Sequence, residues 1–252
     1  MVKKFDFKKF SEHKTNTEQS VGLILVEGED DANFIYFLIK NSESFAKDFL
    51  KRNYIFYLGG KDKLLGGKEK DGHCGLRKIV ENQDFKDSCT KVAVIFDADA
   101  NIDDNFKEII KDFQIINEEQ KKLGKYYPKI KFNLPKKSSV IDIQESSALN
   151  PTVSIFLLPN SQDSGSLEDL YLSTLDKKDR AILKCLEGKE IDKCVSENLS
   201  LSHKTKLLTQ SFLAAKDKTF KTIGFAASAG KVNFNSPALD KLKNFLKKFS
   251  NS

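Results

Sequence analysis

The chain has 252 residues, of which 39% are hydrophobic and 31% are charged, and its formal net charge is +6 with a pI near 8.9. These proportions exclude an intrinsically disordered chain, and no apolar run approaches the ~20 residues that a membrane-spanning helix needs. We therefore expect a soluble, cytoplasmic protein. The positive charge favours an anionic partner, with nucleic acid as the first candidate, although a lysine-rich composition alone would also produce it.

The cysteines and histidines exclude a zinc ribbon, because the chain contains no Cys-x-x-Cys pair. The neighbouring pair His73 and Cys74 has metal-binding or nucleophilic chemistry, but nothing elsewhere in the sequence completes either kind of site. Widely spaced cysteines of this kind are typical of a reduced compartment. The residues concerned are Cys74, Cys89, Cys185, Cys194, His13, His73 and His203.

Four short apolar runs predict the strands of a buried sheet, at residues 21–26, 54–58, 91–96 and 153–158. Nearly continuous apolar runs are typical of parallel strands that are covered by helices on both faces. The segments between them have apolar residues at helical spacing, which predicts helices over 30–40, 76–82 and 105–123 and from 166 or 167 onwards. This alternation predicts an α/β fold with a mainly parallel, four-stranded, Rossmann-like sheet flanked by helices.

The two ends of the chain differ in character from residues 20–175, which contain all four predicted strands. Residues 1–19 are basic and polar, and we interpret them as an N-terminal arm. Within the strand-containing part, residues 124–151 include several prolines and predict an insertion or a long connection. Residues 176–252 predict a helical C-terminal extension, with helices over 177–187, 204–215 and 237–249.

Carboxylates directly follow two of the predicted strands. Glu27 and Asp31 come after the first strand, and Asp97 and Asp99 come after the third. The carboxyl ends of parallel strands meet at one edge of a sheet, so we expect these side chains to converge in one crevice. Clustered carboxylates repel one another, and hard cations such as Mg²⁺ or Mn²⁺ relieve that repulsion.

Helix capping is the competing explanation for acidic residues at these positions. We favour it for Glu29 and Asp30, because acidic residues in a first helical turn need no metal ion. Asp103 and Asp104 are likewise interpreted as caps of the helix that follows the third strand. The Asp-x-Asp pair before them differs, since a strand that continues through it would place both side chains on one side.

A glycine pair after the second strand predicts a tight strand-to-helix turn. In Gly59-Gly60-Lys61, the backbone amides and the lysine together are expected to contact a phosphate. The segment is not a Walker loop, because Asp62 and Glu69 stand where such a loop needs glycine and serine or threonine. After the fourth strand, Ser166 and Asp169 have the spacing of a helix capping box.

Taken together, these motifs resemble the TOPRIM domain shared by topoisomerases, primases and OLD-type nucleases. The family pattern is a glutamate after the first strand and an Asp-x-Asp after a later strand, here Glu27 and Asp97-Ala98-Asp99. The likeness is closer to small stand-alone TOPRIM proteins related to OLD-type nucleases and covers roughly residues 20–175. Three features carry it: Glu27-x-x-x-Asp31, Gly59-Gly60-Lys61 and Ser164-Gly165-Ser166-Leu167-Glu168.

The resemblance implies a metal-dependent nuclease that hydrolyses DNA or RNA with one or two Mg²⁺ or Mn²⁺ ions. It implies catalytic roles for Glu27 and Asp97 and for a lysine after the last acidic motif, for which we favour Lys218 over Lys221 and Lys231. OLD-type nucleases carry an attached ATPase, so the resemblance also implies either a separate ATPase partner, as in bacterial anti-phage systems, or a nuclease that acts alone. The implied metal ligands are Glu27, Asp31, Asp97, Asp99 and Glu168.

Two other interpretations stay open at the level of the sequence. A non-catalytic module would use the same acidic crevice to bind a metal-bound nucleotide or a partner protein. An unrelated doubly wound fold would carry these acids by chance. The other TOPRIM activities fit less well, because a topoisomerase needs a tyrosine-bearing strand-passage module and bacterial-type primases carry a zinc-binding domain.

Overall fold

The computed structural model describes residues 21–45, 47–60, 62, 64–66, 75–125, 127–138, 147–187 and 201–251. The predicted N-terminal arm and Lys61 lie outside the described residues, as do His73 and Cys74. The described part of the chain has no helix long and apolar enough to cross a membrane.

A four-stranded, fully parallel sheet forms the centre of the protein. Its strands are β1 (Val21–Val26), β2 (Asn53–Tyr57), β3 (Cys89–Asp97) and β4 (Thr152–Leu158), in the spatial order β2-β1-β3-β4. All four agree with the apolar runs of the sequence within two residues at either end. The predicted α/β class and the parallel four-stranded sheet are therefore confirmed.

Helices connect the strands and cover the sheet. They are α1 (Glu29–Asn41), α2 (Phe49–Arg52), α3 (Leu76–Glu81), α4 (Gln83–Ser88), α5 (Ile102–Lys121), α6 (Leu167–Ser173), α7 (Lys177–Leu186), α8 (Leu201–Lys216), α9 (Ile223–Ser228) and α10 (Asp240–Asn251), with a 3₁₀ turn over Pro237–Leu239. The short helix α9 was not predicted from the sequence, and it becomes important below.

The strand residues alternate between two hydrophobic cores, one on each face of the sheet. Ile24 and Ile95 belong to one core, while Leu25 and Val94 belong to the other. Burial of successive residues on both faces explains why the strands have no polar alternation in the sequence. Both faces of the sheet are therefore covered, and polar functional side chains can be placed only at the ends of the strands.

The C-terminal helices pack into one of these two cores. On α10, Leu246 and Phe249 are fully buried, and the ring of Phe245 lies 5.1 Å from that of Phe156 on β4. The helical C-terminal part of the chain, including α8 and α9, therefore covers the same face of the sheet as α1. A division of the chain near residue 175 stays a prediction.

The segment predicted as an insertion contributes to the other core in its described part. Ile130 and Phe132 are buried there, and Asn133 forms an isolated parallel bridge to Thr152 at the start of β4. The ring of Phe132 lies 4.9 Å from that of Phe113 on α5, in an edge-to-face arrangement. These contacts fix part of the long connection against the sheet.

Candidate functional site

A cleft of about 660 Å³ lies at the carboxyl ends of β1 and β3. Residues from the first turns of α1 and α6 line the cleft, together with residues of α8 and α9. Four of the predicted site carboxylates line it, namely Glu27, Asp31, Asp97 and Glu168. The expected convergence of acids at one edge of the sheet is present for these four.

Asp31 is held in place by the start of α1. Its Oδ2 accepts a hydrogen bond of 2.8 Å from the backbone N–H of Gly28, the residue that caps the helix. Glu29 and Asp30 are the capping acids expected from the sequence, but the carboxylate that makes this bond is that of Asp31. A single side chain therefore stabilises the helix start and faces the cleft.

Asp97 joins the end of β3 to the start of α6. Its Oδ1 accepts a hydrogen bond of 2.9 Å from the backbone N–H of Leu167, the first residue of that helix. Next to it, the N–H of Ser166 donates to Oδ2 of Asp169 at 2.8 Å, which confirms the predicted capping pair. The same helix start places Glu168 in the cleft beside Asp97.

The ionisation of Asp31 reflects its crowded surroundings. Burial raises the pKa of its carboxyl group from 3.8 to about 7, against the opposing hydrogen bond from Gly28. The negative charges of Glu27 and Glu168 raise this pKa further, with a smaller contribution from Asp30. A carboxyl group in this state binds a proton or a cation much more readily than one in water.

Asp97 is perturbed in the same direction. Burial raises the pKa of its carboxyl group well above 3.8, and the charges of Asp31, Glu27 and Glu168 add to that effect. The hydrogen bond from Leu167 opposes them. The two acids with raised pKa values therefore share the same cause, which is burial among the other carboxylates of the cleft.

The glycine pair after β2 also lines the cleft. The N–H groups of Gly59 and Gly60 both donate to the carbonyl oxygen of Glu27, at 2.9 and 3.1 Å. Their φ angles of 85° and 137° require glycine. These amides close the turn beside Glu27, so the predicted phosphate contact through them would require the turn to open.

Asp99 is not among the described residues that line the cleft with the other four carboxylates. The strand ends at Asp97, and the backbone of Asp99 is left-handed, with a φ of 49°. Its N–H and carbonyl groups pair with those of Gly165, both at 2.8 Å. The alternation that would have placed both aspartates on one side is therefore broken at Asp99, two residues after the strand ends.

Among the residues that the structure describes, two lysines line the cleft, and they differ from the one favoured from the sequence. Lys206 on α8 and Lys221 just before α9 belong to the lining, whereas Lys218 is exposed outside it among the described residues. Lys221 was one of the alternatives considered. Nothing in the sequence pointed to Lys206, because its position depends on how α8 packs over the sheet edge.

The donor chemistry of the cleft fits a hard divalent cation, since its acids supply only oxygen ligands and repel one another. One oxygen of Asp31 and one of Asp97 is engaged by a backbone amide, and each carboxylate has a second oxygen. The described residues contain no group of three or more His, Cys, Asp or Glu side chains already arranged around a metal position. The carboxylates would therefore have to draw closer together around an ion.

The fold and the cleft define an α/β protein with a parallel sheet and clustered carboxylates at its carboxyl edge. The chain belongs to the family described as "Protein of unknown function (DUF3226)", which it matches over residues 21–251. Neither a curated protein nor a solved structure matches the chain. The family description names no activity, so the function has to be argued from the chemistry of the cleft.

Proposed function

We propose that this protein is a divalent-metal-dependent nuclease that hydrolyses phosphodiester bonds of DNA or RNA. The observation that carries the proposal is the gathering of four carboxylates, Glu27, Asp31, Asp97 and Glu168, in one cleft. Burial and the neighbouring acids raise the carboxyl pKa values of Asp31 and Asp97 there. Perturbed carboxyl groups gathered in a cleft are typical of active sites. Mg²⁺ or Mn²⁺ would supply the positive charge that stabilises a phosphoryl transition state and activates water.

The carboxylates of the cleft bind the metal ion, and the lysines that line it bind the substrate. Asp97, Asp31 and Glu168, held by the starts of α1 and α6, supply the oxygen ligands together with Glu27. The lysines on the rim attract the phosphate backbone of the substrate and offset its negative charge beside the acids. Lys221 replaces Lys218 as the lysine we assign to the scissile phosphate, because it lines the cleft.

We place this activity in anti-phage defence or DNA maintenance, with a separate ATPase as partner. The support is the sequence resemblance to OLD-type nucleases, in which a TOPRIM domain is attached to an ATPase. A partner that supplies nucleotide-driven movement would control access to the cleft. This part of the proposal rests on analogy with that family.

The test is cleavage of plasmid DNA and of a mixed RNA pool by the purified protein with Mg²⁺ or Mn²⁺, beside the Asp97→Asn variant. Asparagine retains an oxygen that can accept the hydrogen bond from Leu167, so the fold is preserved while the charge is lost. We expect cleavage that EDTA and Asp97→Asn both abolish. Equal cleavage by the variant would refute the assignment.

A matched control and a second readout complete the design. Asp103→Asn removes an exposed acid from the first turn of α5 and should cleave like the parent protein. Thermal unfolding with and without Mg²⁺ measures ion binding directly, because a ligand that binds only the folded state stabilises it. Stabilisation by Mg²⁺ without any cleavage would favour the non-catalytic module that binds a metal-bound nucleotide or a partner.

A further inference from the structure

An aromatic side chain is exposed on the rim of the acidic cleft. Phe225, on α9, is 48% exposed and lines the cleft. Single exposed hydrophobic residues are common on protein surfaces and need no explanation by themselves. Phe225 differs because of what holds it and what lies around it.

Phe225 is held rigidly relative to the carboxylates. Its neighbour Gly224 packs on the first turn of α1 so closely that a Cβ atom there would lie 2.7 Å from Oδ1 and 3.0 Å from Cα of Asp30. The ring of the buried Phe220 supports that of Phe225, with 6.0 Å between the centroids. The exposed ring is therefore a fixed surface beside the acidic site.

The cleft also contains positively charged side chains and a buried hydroxyl group. Lys206 and Lys221 both line the cleft and are exposed to solvent. Thr209 also lines it, is only 1% exposed, and its hydroxyl oxygen has no hydrogen-bond partner among the described residues. A buried hydroxyl without a partner is unfavourable, so this one is suited to a hydrogen bond from a ligand.

We infer that the cleft binds single-stranded nucleic acid, with one unpaired base stacked on Phe225 and the adjoining phosphates contacted by Lys206 and Lys221. An aromatic ring next to cationic side chains is the usual means of holding single strands, because every base offers a flat face for stacking. In a duplex those faces are covered by neighbouring bases. The inference rests on the proposed nuclease function and names its substrate class.

The chain contains no tryptophan, so a Phe225→Trp variant carries a single tryptophan at the position in question, and its fluorescence can be excited selectively over that of the tyrosines. The variant is titrated with a single-stranded oligonucleotide of about 12 nucleotides, as DNA and as RNA, with the matching duplex, and with a mononucleotide. Ca²⁺ serves as the hard cation in these titrations, and electrophoresis verifies that the strands stay intact. We expect saturable quenching by the single strand, with an affinity at least tenfold above that for the duplex or the mononucleotide.

A second tryptophan variant controls for non-specific quenching. Tyr127→Trp places the fluorophore at a residue that is 65% exposed and is not among the described cleft-lining residues. Its fluorescence should not respond to the single strand. Equal quenching of both variants, no quenching of Phe225→Trp, or equal quenching of Phe225→Trp by single strand and duplex would overturn the inference.

Binding measured by anisotropy of a labelled strand tests the role of the ring without a fluorophore in the protein. Phe225→Ala should weaken single-strand binding by roughly 5- to 150-fold, the range found when a stacking aromatic is removed, while Phe225→Tyr should retain it. Leu207→Ala is the matched control, because Leu207 is 37% exposed on α8 and is not among the described cleft-lining residues. Equal affinities for the parent, Phe225→Ala and Phe225→Tyr would overturn the inference.

The two proposals fail in different ways. Cleavage of duplex and single strand at equal rates, unaffected by Phe225→Ala, would remove the single-strand inference and leave the nuclease function in place. Single-strand quenching of Phe225→Trp in a protein that cleaves nothing would support the binding inference and count against catalysis. Thermal unfolding of each variant verifies that the fold is intact in either case.

Discussion

Oδ1 of Asp97 accepts a hydrogen bond of 2.9 Å from the backbone N–H of Leu167, so the central acid of the cleft also fixes the first turn of α6. This double role explains how a short strand end can hold a carboxylate against the repulsion of its neighbours. It also determines which substitutions test chemistry alone and which also disturb the fold.

We predict that Asp97→Asn is more stable than Asp97→Ala, although neither cleaves nucleic acid. Both substitutions remove the same charge, but only asparagine retains an acceptor for the Leu167 N–H. Loss of a helix-capping acceptor costs about 0.5–2 kcal/mol, so the free energies of unfolding in urea should differ by about that amount. Equal unfolding free energies would show that the hydrogen bond contributes nothing to stability.

A second prediction concerns the dependence of stability on pH. Because the pKa of Asp31 is about 7 in the folded protein and 3.8 ordinarily, the folded state binds more protons between about pH 4 and pH 7. The free energy of unfolding therefore decreases as pH rises through that window. Above pH 7 the carboxyl group of Asp31 is ionised in the folded protein, and the destabilisation that its burial causes is fully present. Asp31→Asn should stabilise the metal-free protein by a few kcal/mol at pH 8 and by much less at pH 4.

The check is thermal unfolding in EDTA at several pH values, for the parent and for Asp31→Asn. Asparagine can still accept the hydrogen bond from Gly28, so the helix start is retained. Asp103→Asn, at an exposed acid, is the control and should show no comparable gain at pH 8. A parent protein that is more stable than Asp31→Asn at pH 8 would contradict the assigned pKa.

Much of the scaffold was predictable because it depends on local pattern. Four apolar runs define the strands, and parallel strands bring the residues after them to one edge, which is why Glu27, Asp31 and Asp97 were expected together. The strand order β2-β1-β3-β4 was not predicted, since it depends on the packing of whole helices. The acids could be expected to converge without knowledge of the strand order, because all parallel strands end at the same edge of the sheet.

The parts of the cleft that the sequence did not reveal depend on tertiary packing or on a single backbone angle. Asp99 was expected beside Asp97, but its left-handed backbone directs the chain towards Gly165. Lys206 and Phe225 come from helices far along the chain, and only the packing of α8 against α6 and of α9 against α1 brings them to the acids. Gly224 was the one sequence feature that indicated the close contact between α9 and α1, because such a contact requires a residue without a side chain.

We predict different effects for the lysines near the cleft. Lys221→Ala should lower the cleavage rate by about 100-fold or more if it contacts the transition state, and Lys206→Ala should mainly weaken binding and its salt dependence. Lys218→Ala should have the smallest effect, because Lys218 is not among the described residues that line the cleft. Steady-state kinetics of the three variants at two salt concentrations separate these roles, and the largest loss in Lys218→Ala would restore the assignment made from the sequence.

The last prediction concerns the contact that positions α9. In Gly224→Ala, the new Cβ would lie 3.0 Å from the backbone Cα of Asp30, so α9 or α1 has to shift. Overpacking of this kind costs about 1–3 kcal/mol, and the shift should move Phe225 and Lys221 away from the acids and lower cleavage.

Gly124→Ala is the matched control, since its Cβ would lie 3.6 Å from Tyr127, an ordinary contact distance. Unfolding in urea and the cleavage rate are measured for both variants, and a Gly224→Ala protein that matches the parent in both would show that α9 does not position the site.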